Sequence, residues 1–599
     1  MKAIILAAGM GSRLGRYTKD NTKAMVEVNG KKLIENSLDI LNECGVYEVI
    51  IVVGYKKEKL MSFLGETYKD IKIKYIVNEK YNNTNNIYSL YLAKEEFNDD
   101  IILLESDIIF EKSLIEKLIK DKNKDLVAVD KYQSWMDGTV TILKSDNTIS
   151  SFVDKTEFDW NNIDNYYKTV NIYKFSKKFL LNKYLPYLEA YIKSEGYNSY
   201  YEQVLSVISS LKSVNLKAMK LESEKWYEID DAQDLDIATV LFSDDDNELK
   251  NYQRRYGGYW RFPKLKDFCY LVNPYFPPEK MKEEMKSSFD DLLTQYPSGR
   301  GVQEILSAKL FNCEDKHIVL GNGAAELIKE LIEIIEGRIG IIAPTFNEYG
   351  ERIGKDRLAV FNSGENDFDY SVEDLIEFSK GINALVLINP DNPSGHILSK
   401  EEIIRILDVF EKDNKKLILD ESFIDFAGEG QQFTMIDSEV LEKYTNLVVI
   451  KSISKSYGVP GIRLGVLATA NSSISERIKS ELPIWNINSF GEYFLQIIGK
   501  YKNDYKESCI KIAKERDRFF NELNSISFLE VKKSYSNYFL CKIKEKYSAE
   551  ELSKILLKKY NILIKDCTGK RGIKDDKYVR IAVKDKKNNE LLICTLKSL

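Results

Sequence analysis

Histidine is nearly absent: the 599 residues hold two, His317 and His396. So few imidazoles argue against histidine metal clusters and triad hydrolases, so the chemistry must run on Lys, Asp, Arg and bound cofactors. Cysteine is sparse and scattered. The seven (Cys44, Cys269, Cys313, Cys509, Cys541, Cys567 and Cys594) include no C-x-x-C pair. They read as reduced, mostly buried thiols, which points to the cytoplasm. No apolar run is long enough to span a bilayer, and the opening MKAIILAAGMGSRLG is too short and glycine-broken for a signal peptide, so no membrane partner is expected. Excess positive charge is also missing. A formal net charge of −6 gives no reason to expect a nucleic-acid partner. Short repeats and low-complexity tails are lacking too.

What is present is length and alternation. A chain of this size exceeds one ordinary core, so two or more domains are expected. Apolar runs such as Lys2–Leu6, Glu48–Val53, Ile101–Leu104, Ala384–Ile388, Lys416–Leu419 and Leu447–Ile450 alternate with helical patterns. That alternation predicts βαβ units around buried sheets, an α/β class. One polar break, Phe242 to Arg255, is acidic and then basic. It places the domain boundary so that residues 1–242 form one unit and 243–599 the other.

In the first half, a strand at Ala3–Leu6 runs into Ala7-Ala8-Gly9-Met10-Gly11-Ser12-Arg13-Leu14. A glycine-rich loop after a buried strand lets backbone N–H groups approach a phosphate or base. Arg13 and Lys23 add cations for a triphosphate. The strand Ile101–Leu104 ends in Glu105-Ser106-Asp107, and a second acidic segment reads Trp226-Tyr227-Glu228-Ile229-Asp230-Asp231. Taken alone, each carboxylate is either a metal ligand or a solvated cap. The loop string resembles the L-A-A-G-x-G-x-R-L signature of sugar-nucleotide pyrophosphorylases and their relatives. That resemblance implies a Rossmann-like nucleotidyltransferase domain. Its nucleotide would be held by Leu6, Ala8, Gly9, Gly11, Arg13, Lys23, Asn85 and Ser89, and its Mg²⁺ by Asp107 and Asp230. It also makes Lys23 the activating lysine, although the usual Pro-Lys is here Thr22-Lys23. The strings Asn78-Glu79-Lys80-Tyr81, Asn85-Asn86-Ile87-Tyr88-Ser89 and Tyr227–Asp230 resemble the phosphocholine cytidylyltransferase branch. This implies CTP as the nucleotide and a small phosphorylated or phosphonylated amine as acceptor, held by Trp135, Tyr201 and Glu228. Core packing is an equal alternative for Trp135 and Tyr201.

The second half carries five features in order. Gly321-Asn322-Gly323-Ala324-Ala325 opens a helix and suits a phosphate at its N-terminus. Pro344-Thr345-Phe346 offers a ring for stacking. Asn389-Pro390-Asp391-Asn392-Pro393-Ser394-Gly395 follows a buried strand. Asp420-Glu421 ends the next. Ser452-Ile453-Ser454-Lys455 precedes Gly461-Ile462-Arg463-Leu464-Gly465. The ordered set resembles the class I/II aminotransferases, and within them the histidinol-phosphate aminotransferase and threonine-phosphate decarboxylase branch. The resemblance implies a fold-type I pyridoxal-phosphate (PLP) enzyme with a large mixed-sheet domain and a small C-terminal subdomain. Lys455 would carry the cofactor and Phe346 would stack on it. Asn392 would bond the phenolic oxygen and Asp420 the ring nitrogen. Gly323, Ala324, Ala325, Ser452, Ser454 and Arg463 would hold the phosphate. Arg580 and Lys565 would bind a substrate anion, and Tyr296 would reach the neighbouring subunit's cofactor, so a homodimer is implied. Phe423 stands where such enzymes usually carry Tyr, which leaves transamination and decarboxylation both open.

One intermediate satisfies both halves: an amine bearing a phosphate or phosphonate. The chain as a whole resembles the fused phosphonate cytidylyltransferase–2-aminoethylphosphonate transaminases. This implies amination of phosphonoacetaldehyde from an amino-acid donor, then CMP transfer. The alternatives are a phosphocholine-type or other amino-alcohol-phosphate cytidylyltransferase, a threonine-phosphate-decarboxylase-like second half, and a nucleotide-sensing module regulating a transaminase.

Overall fold

Strands covered on both faces can be apolar throughout, and the short hydrophobic runs of both halves become such strands. A computed structural model describes every residue except 212–213, 245 and 429–432. The chain divides into two compact units, Met1–Arg261 and Phe262–Leu599. The expected boundary at 242 falls before this division. The basic end of the polar break is the helix Glu248–Arg254, whose Leu249 and Tyr252 are buried, so the segment folds with the first unit.

The first unit is built on a mixed sheet. Four parallel strands form its middle, in the order Ile71–Val77, Glu48–Val53, Lys2–Ala7, Ile101–Glu105. The long strand Tyr166–Phe175 joins antiparallel to Ile101–Glu105, and Val140–Leu143 extends the sheet beyond it. Parallel strands deliver their following loops to one edge, which is where open α/β sheets bind ligands. The loop after Ala7 and the turn after Glu105 therefore share that edge. A separate antiparallel pair, Ile108–Phe110 with Trp226–Glu228, sets Glu228 opposite Ile108. The Ile229 N–H donates to the Asp107 carbonyl at 2.9 Å, bringing the second acidic segment beside the first.

The second unit has a seven-stranded sheet. Its order is Ile318–Gly321, Gly465–Ala468, Leu447–Ser452, Lys416–Asp420, Ala384–Ile388, Ile339–Ala343, Leu358–Asn362. The last five are mutually parallel, and Gly465–Ala468 runs antiparallel to both of its neighbours. Ile388 pairs with Asp420, so the segments after these strands leave the sheet side by side. The 23-residue helix Lys502–Asn524 leads to an antiparallel sheet of Leu529–Val531, Tyr538–Ile543, Tyr578–Ala582 and Lys565–Asp566. No described helix is long and apolar enough to cross a membrane.

Candidate active sites

In the first unit Gly11 takes φ +62°, and a Cβ there would lie 3.1 Å from both Lys23 Cβ and Thr18 Cγ2. Glycine is therefore required to bring this loop against Lys23. The Lys23 amine donates to Asp107 Oδ2 at 2.6 Å and to Asp230 Oδ1 at 2.8 Å. Burial opposes its charge, but the two carboxylates outweigh burial and raise the amine above the usual lysine range. Arg13 reaches Asp230 at 3.0 Å and Asp137 at 3.6 Å.

Carboxylate oxygens of Asp107, Glu228 and Asp230 lie within 4.8 Å of one another. Asp107 Oδ1 is buried without a hydrogen-bond partner. A hard-oxygen set with an unspent lone pair fits Mg²⁺. Glu228 also accepts from Asn171 Nδ2 at 3.0 Å and pairs with Lys168 at 3.2 Å. Burial pushes its carboxyl up to about 7; Lys168 opposes the shift, and Asp107 and Asp230 add to it.

Lys168, Asn171 and Glu202 carry no sequence motif, and Glu105 lies in the Glu105-Ser106-Asp107 string without a role assigned to it. Lys168 and Asn171 point at Glu228 because the strand Tyr166–Phe175 loses register between Thr169 and Tyr173, with Asn171 at φ +60°. Such a bulge re-aims side chains. Glu105 is raised by burial and then by Asp107, Glu202 and Glu228, and Glu202 Oε2 is buried without a partner.

The other expected residues of this site fall as follows. Leu6 and Ala8 are buried, and Gly9 is exposed in the loop. Asn85 caps the helix Asn86–Leu92. Ser89 is buried, and its hydroxyl accepts from Asn78 Nδ2 at 3.1 Å. Tyr201 is fully buried, edge-on to Tyr173, with an unpartnered hydroxyl. Trp135 packs edge-on against Trp260, with the Arg261 guanidinium 5.5 Å from its ring centre. Arg261 is held in turn by Tyr227 at 2.6 Å and Asp234 at 3.0 Å.

In the second unit Gly323, at φ +83°, caps the helix Ala324–Ile334. A Cβ there would lie 2.4 Å from Arg463 Nη2, and one on Gly465 would lie 2.4 Å from the Ala324 amide nitrogen. This cradle sets a guanidinium over a helix N-terminus that includes Ala324 and Ala325. The buried Ser454 hydroxyl has no partner, and the Ser452 amide is held by Ser422 Oγ at 3.0 Å. Both the cradle and the spare hydroxyl fit the PLP phosphate.

The Lys455 carbonyl accepts from the Asn273 and Gly458 N–H groups, while its side-chain amine has no hydrogen bond or ion pair among the described residues. Burial pushes its amine down to about 8; Arg580 and Arg463 add to the shift and Asp420 opposes it. An unpartnered amine that gives up its proton more readily than an ordinary lysine suits a cofactor-carrying role. Asp420 is buried, accepting from the Tyr349 hydroxyl and the Ser422 N–H, both at 2.9 Å. Burial raises its carboxyl and these hydrogen bonds oppose that. Asn392 Oδ1 accepts from Arg580 Nη1 at 2.8 Å. Lys565 stands opposite Arg580 across two strands. Phe346 is 42% exposed at the start of the helix Asn347–Arg352. Tyr296 is 79% exposed and stacks on Trp485 at 4.4 Å. Phe423 packs edge-on against Tyr538. Tyr349 and Lys570, which the motifs did not single out as site residues, complete the surroundings.

Residues 266–596 match the family model described as aminotransferase class I and II, and residues 3–157 match that of the MobA-like NTP transferase domain. The chain is 31% identical over its full length to CMP-5'-(3-aminopropyl)phosphonate synthase of Streptomyces rubellomurinus, covering 94% of that protein. It is also 31% identical over 56% of its length to L-serine phosphate decarboxylase of Sulfurospirillum multivorans, covering 90% of it. Among solved structures, histidinol-phosphate aminotransferase of Clostridium acetobutylicum matches with a TM-score of 0.51 at 32% identity, over 56% of this chain and 98% of that one.

Proposed function

The chain belongs to the class I and II aminotransferases and carries a nucleotidyltransferase domain ahead of that unit, and from this premise we propose that it is a bifunctional enzyme that makes a small aminoalkylphosphonate and couples it to CMP. The acceptor is 2-aminoethylphosphonate, formed by amination of phosphonoacetaldehyde and released as CMP-2-aminoethylphosphonate with pyrophosphate. The observation that carries this reading is the third carboxylate of the first site. Mg²⁺ usually takes one or two carboxylates, which Asp107 and Asp230 would supply, and Glu228 beside them, paired with Lys168 on one oxygen, would meet the acceptor's ammonium with the other.

In the first unit, Mg²⁺ when bound neutralises charge on the nucleotide phosphates. Lys23, protonated throughout the physiological range, adds positive charge at the same place. A phosphonate oxygen attacks the α-phosphorus of CTP, and pyrophosphate leaves. Glu228, held by Asn171 and Lys168, accepts from the acceptor's ammonium. In the second unit, PLP when bound supplies an electron sink. Asp420, held in place by Tyr349, would accept from the cofactor's ring nitrogen. Arg463, Ser454 and the helix N-terminus at Ala324 would hold the cofactor's phosphate. The Lys455 amine moves the proton at the substrate carbon. The exposed Tyr296 joins the site of a second copy, so the working form is a homodimer; sedimentation of a monomer with full transaminase activity would refute this.

A second reading has its own support. Phe423 gives the cofactor no phenol, and one relative is named a serine phosphate decarboxylase. The second unit then decarboxylates a phosphonate-bearing amino acid, and the product is 3-aminopropylphosphonate, the group in the name of the full-length relative. The purified chain, given phosphonoacetaldehyde, an amino-acid donor, CTP and Mg²⁺, is expected to release CMP-2-aminoethylphosphonate. Release of carbon dioxide from the amino-acid substrate, or better turnover of phosphocholine than of 2-aminoethylphosphonate, would overturn the first reading.

A further inference from the structure

The cations around Arg580 outnumber those expected from motifs. Lys565 and Arg580 face each other across the strands Lys565–Asp566 and Tyr578–Ala582. Between them the chain passes through Cys567-Thr568-Gly569-Lys570-Arg571-Gly572. Gly569 and Gly572 both take positive φ, at +74° and +86°. A Cβ on Gly572 would lie 2.6 Å from the carbonyl carbon of Ala343 and from the nitrogen of Pro344. The loop is thus pressed onto the backbone that leads to Phe346. That approach lets the Lys570 amine donate to Asn347 Oδ1 at 2.8 Å, one residue beyond Phe346. Arg580, on its side, is tied to Asn392 at 2.8 Å and to the Cys269 carbonyl at 2.7 Å. Two cations are therefore anchored to the two segments that flank the cofactor position.

None of the three cations has a carboxylate in ion-pair range among the described residues. The Arg580 Nε is buried with no hydrogen-bond partner at all. Burial, Arg580 and Lys565 push the Lys570 amine down to about 8, against the opposing pull of Cys567 and Asp391. Gathering like charges in a partly buried place is costly unless a ligand supplies the opposite charge. A carboxylate brings one negative charge and two oxygens. A phosphonate or phosphate brings up to two charges and three oxygens, enough to give each cation a partner.

We propose that Lys570 completes, with Arg580 and Lys565, a three-cation pocket for a dianionic phosphorus oxyanion on the substrate of the aminotransferase unit, and that Lys570 is the member separating such dianions from plain carboxylates. This rests on the reading that the unit handles a phosphorus-bearing amine or aldehyde.

The test uses the full chain loaded with PLP, with ethylphosphonate and propionate as unreactive probes in calorimetry. Lys570→Gln is expected to weaken ethylphosphonate binding about tenfold or more, the worth of one charge-assisted hydrogen bond, and propionate binding less than about twofold. Lys570→Arg should restore most of the loss. PLP content, read from absorbance, reports that the variants fold. As pH rises through about 8, where Lys570 loses its proton, ethylphosphonate affinity of the wild type should fall relative to that of Lys570→Arg, the probe's own second ionisation being common to both. The groups facing Lys570 are Arg580, Lys565, Cys567 and Asp391, so the Arg variant isolates its own titration. Unchanged ethylphosphonate affinity in Lys570→Gln, or equal loss for both probes, overturns the proposal. Selective loss upholds the pocket even where the wild type fails to aminate phosphonoacetaldehyde, so the pocket and the substrate reading can fail separately.

Discussion

The two sites are charged in opposite ways. In the first unit Asp107, Glu228 and Asp230 crowd together, and both nearby lysines are already paired with them. In the second, Arg580, Lys565 and Lys570 gather with amide and carbonyl partners only. In the proposed function the first site would receive a metal and an ammonium, and the second an anion. An aminoalkylphosphonate has one end of each kind, so a single small molecule can satisfy both imbalances, ammonium in the first and oxyanion in the second. The contrast also shows how lysine is tuned. Lys23, between two carboxylates, is held charged above its usual range, whereas Lys455, buried among cations, is pushed down to about 8. The same residue type is a fixed charge in one place and, in the proposed function, a proton carrier in the other.

The largest test of the contrast removes the tuned amine. Lys455→Ala should lower transamination by about 10⁴-fold or more, since the amine proposed to carry the cofactor and move the proton is gone. CMP transfer by the same protein should persist; surviving transamination in a coupled keto-acid assay would sink the assignment. Next comes the acidic cluster. Asp107→Ala or Asp230→Ala should cost about 10³-fold in CMP transfer, several kcal/mol of charge stabilisation, with PLP absorbance unaltered. Normal Mg²⁺-dependent pyrophosphate release in either variant would mean that the metal sits elsewhere.

A smaller effect separates the ammonium's partner from the metal's. Glu228→Gln should raise the KM for 2-aminoethylphosphonate about ten- to a hundredfold, the loss of one charged hydrogen bond, while the KM for CTP moves little. Equal change in both would place Glu228 with the metal instead. The smallest is a pH effect on the same residue. Its carboxyl is pushed up to about 7 in the folded chain, so it is neutral below that and ionised above. Only the ionised form pairs with an ammonium. Acceptor affinity should therefore weaken as pH falls through about 7, and Glu228→Gln should flatten that limb of the profile. A wild-type limb that persists in the variant would assign the titration to another group.

The parts of this design that could be read in advance share one property. The glycine loop after Ala7, the Gly323 helix start and the Ser452–Lys455 segment each put several site atoms within a few consecutive residues. Local backbone geometry then does most of the placing, and the strand-then-loop pattern says which edge of a sheet they reach. Residues contributed singly were harder to read. Lys168 sits mid-strand with nothing to mark it, and a lost register turns it toward Glu228. Trp135, expected against the acceptor, lies with Arg261 near its ring, from a segment the sequence had assigned to the other side of the boundary. That boundary was drawn from polarity, which hides the buried Leu249 and Tyr252 of the helix Glu248–Arg254.

Sequence alone determined the α/β class and the order of the site loops, because apolar period and glycine placement act over a few residues, and the resemblance of its motifs to two enzyme families supplied the nucleotidyltransferase and aminotransferase classes. Tertiary structure alone decided which distant charges meet. Asp230 comes to Asp107 through the Ile229 amide, and Lys570 comes to Asn347 because Gly572 leaves no room for a side chain against Ala343. Charge pairing depends on separations of a few ångströms between residues hundreds of positions apart, and only the packed chain sets those distances.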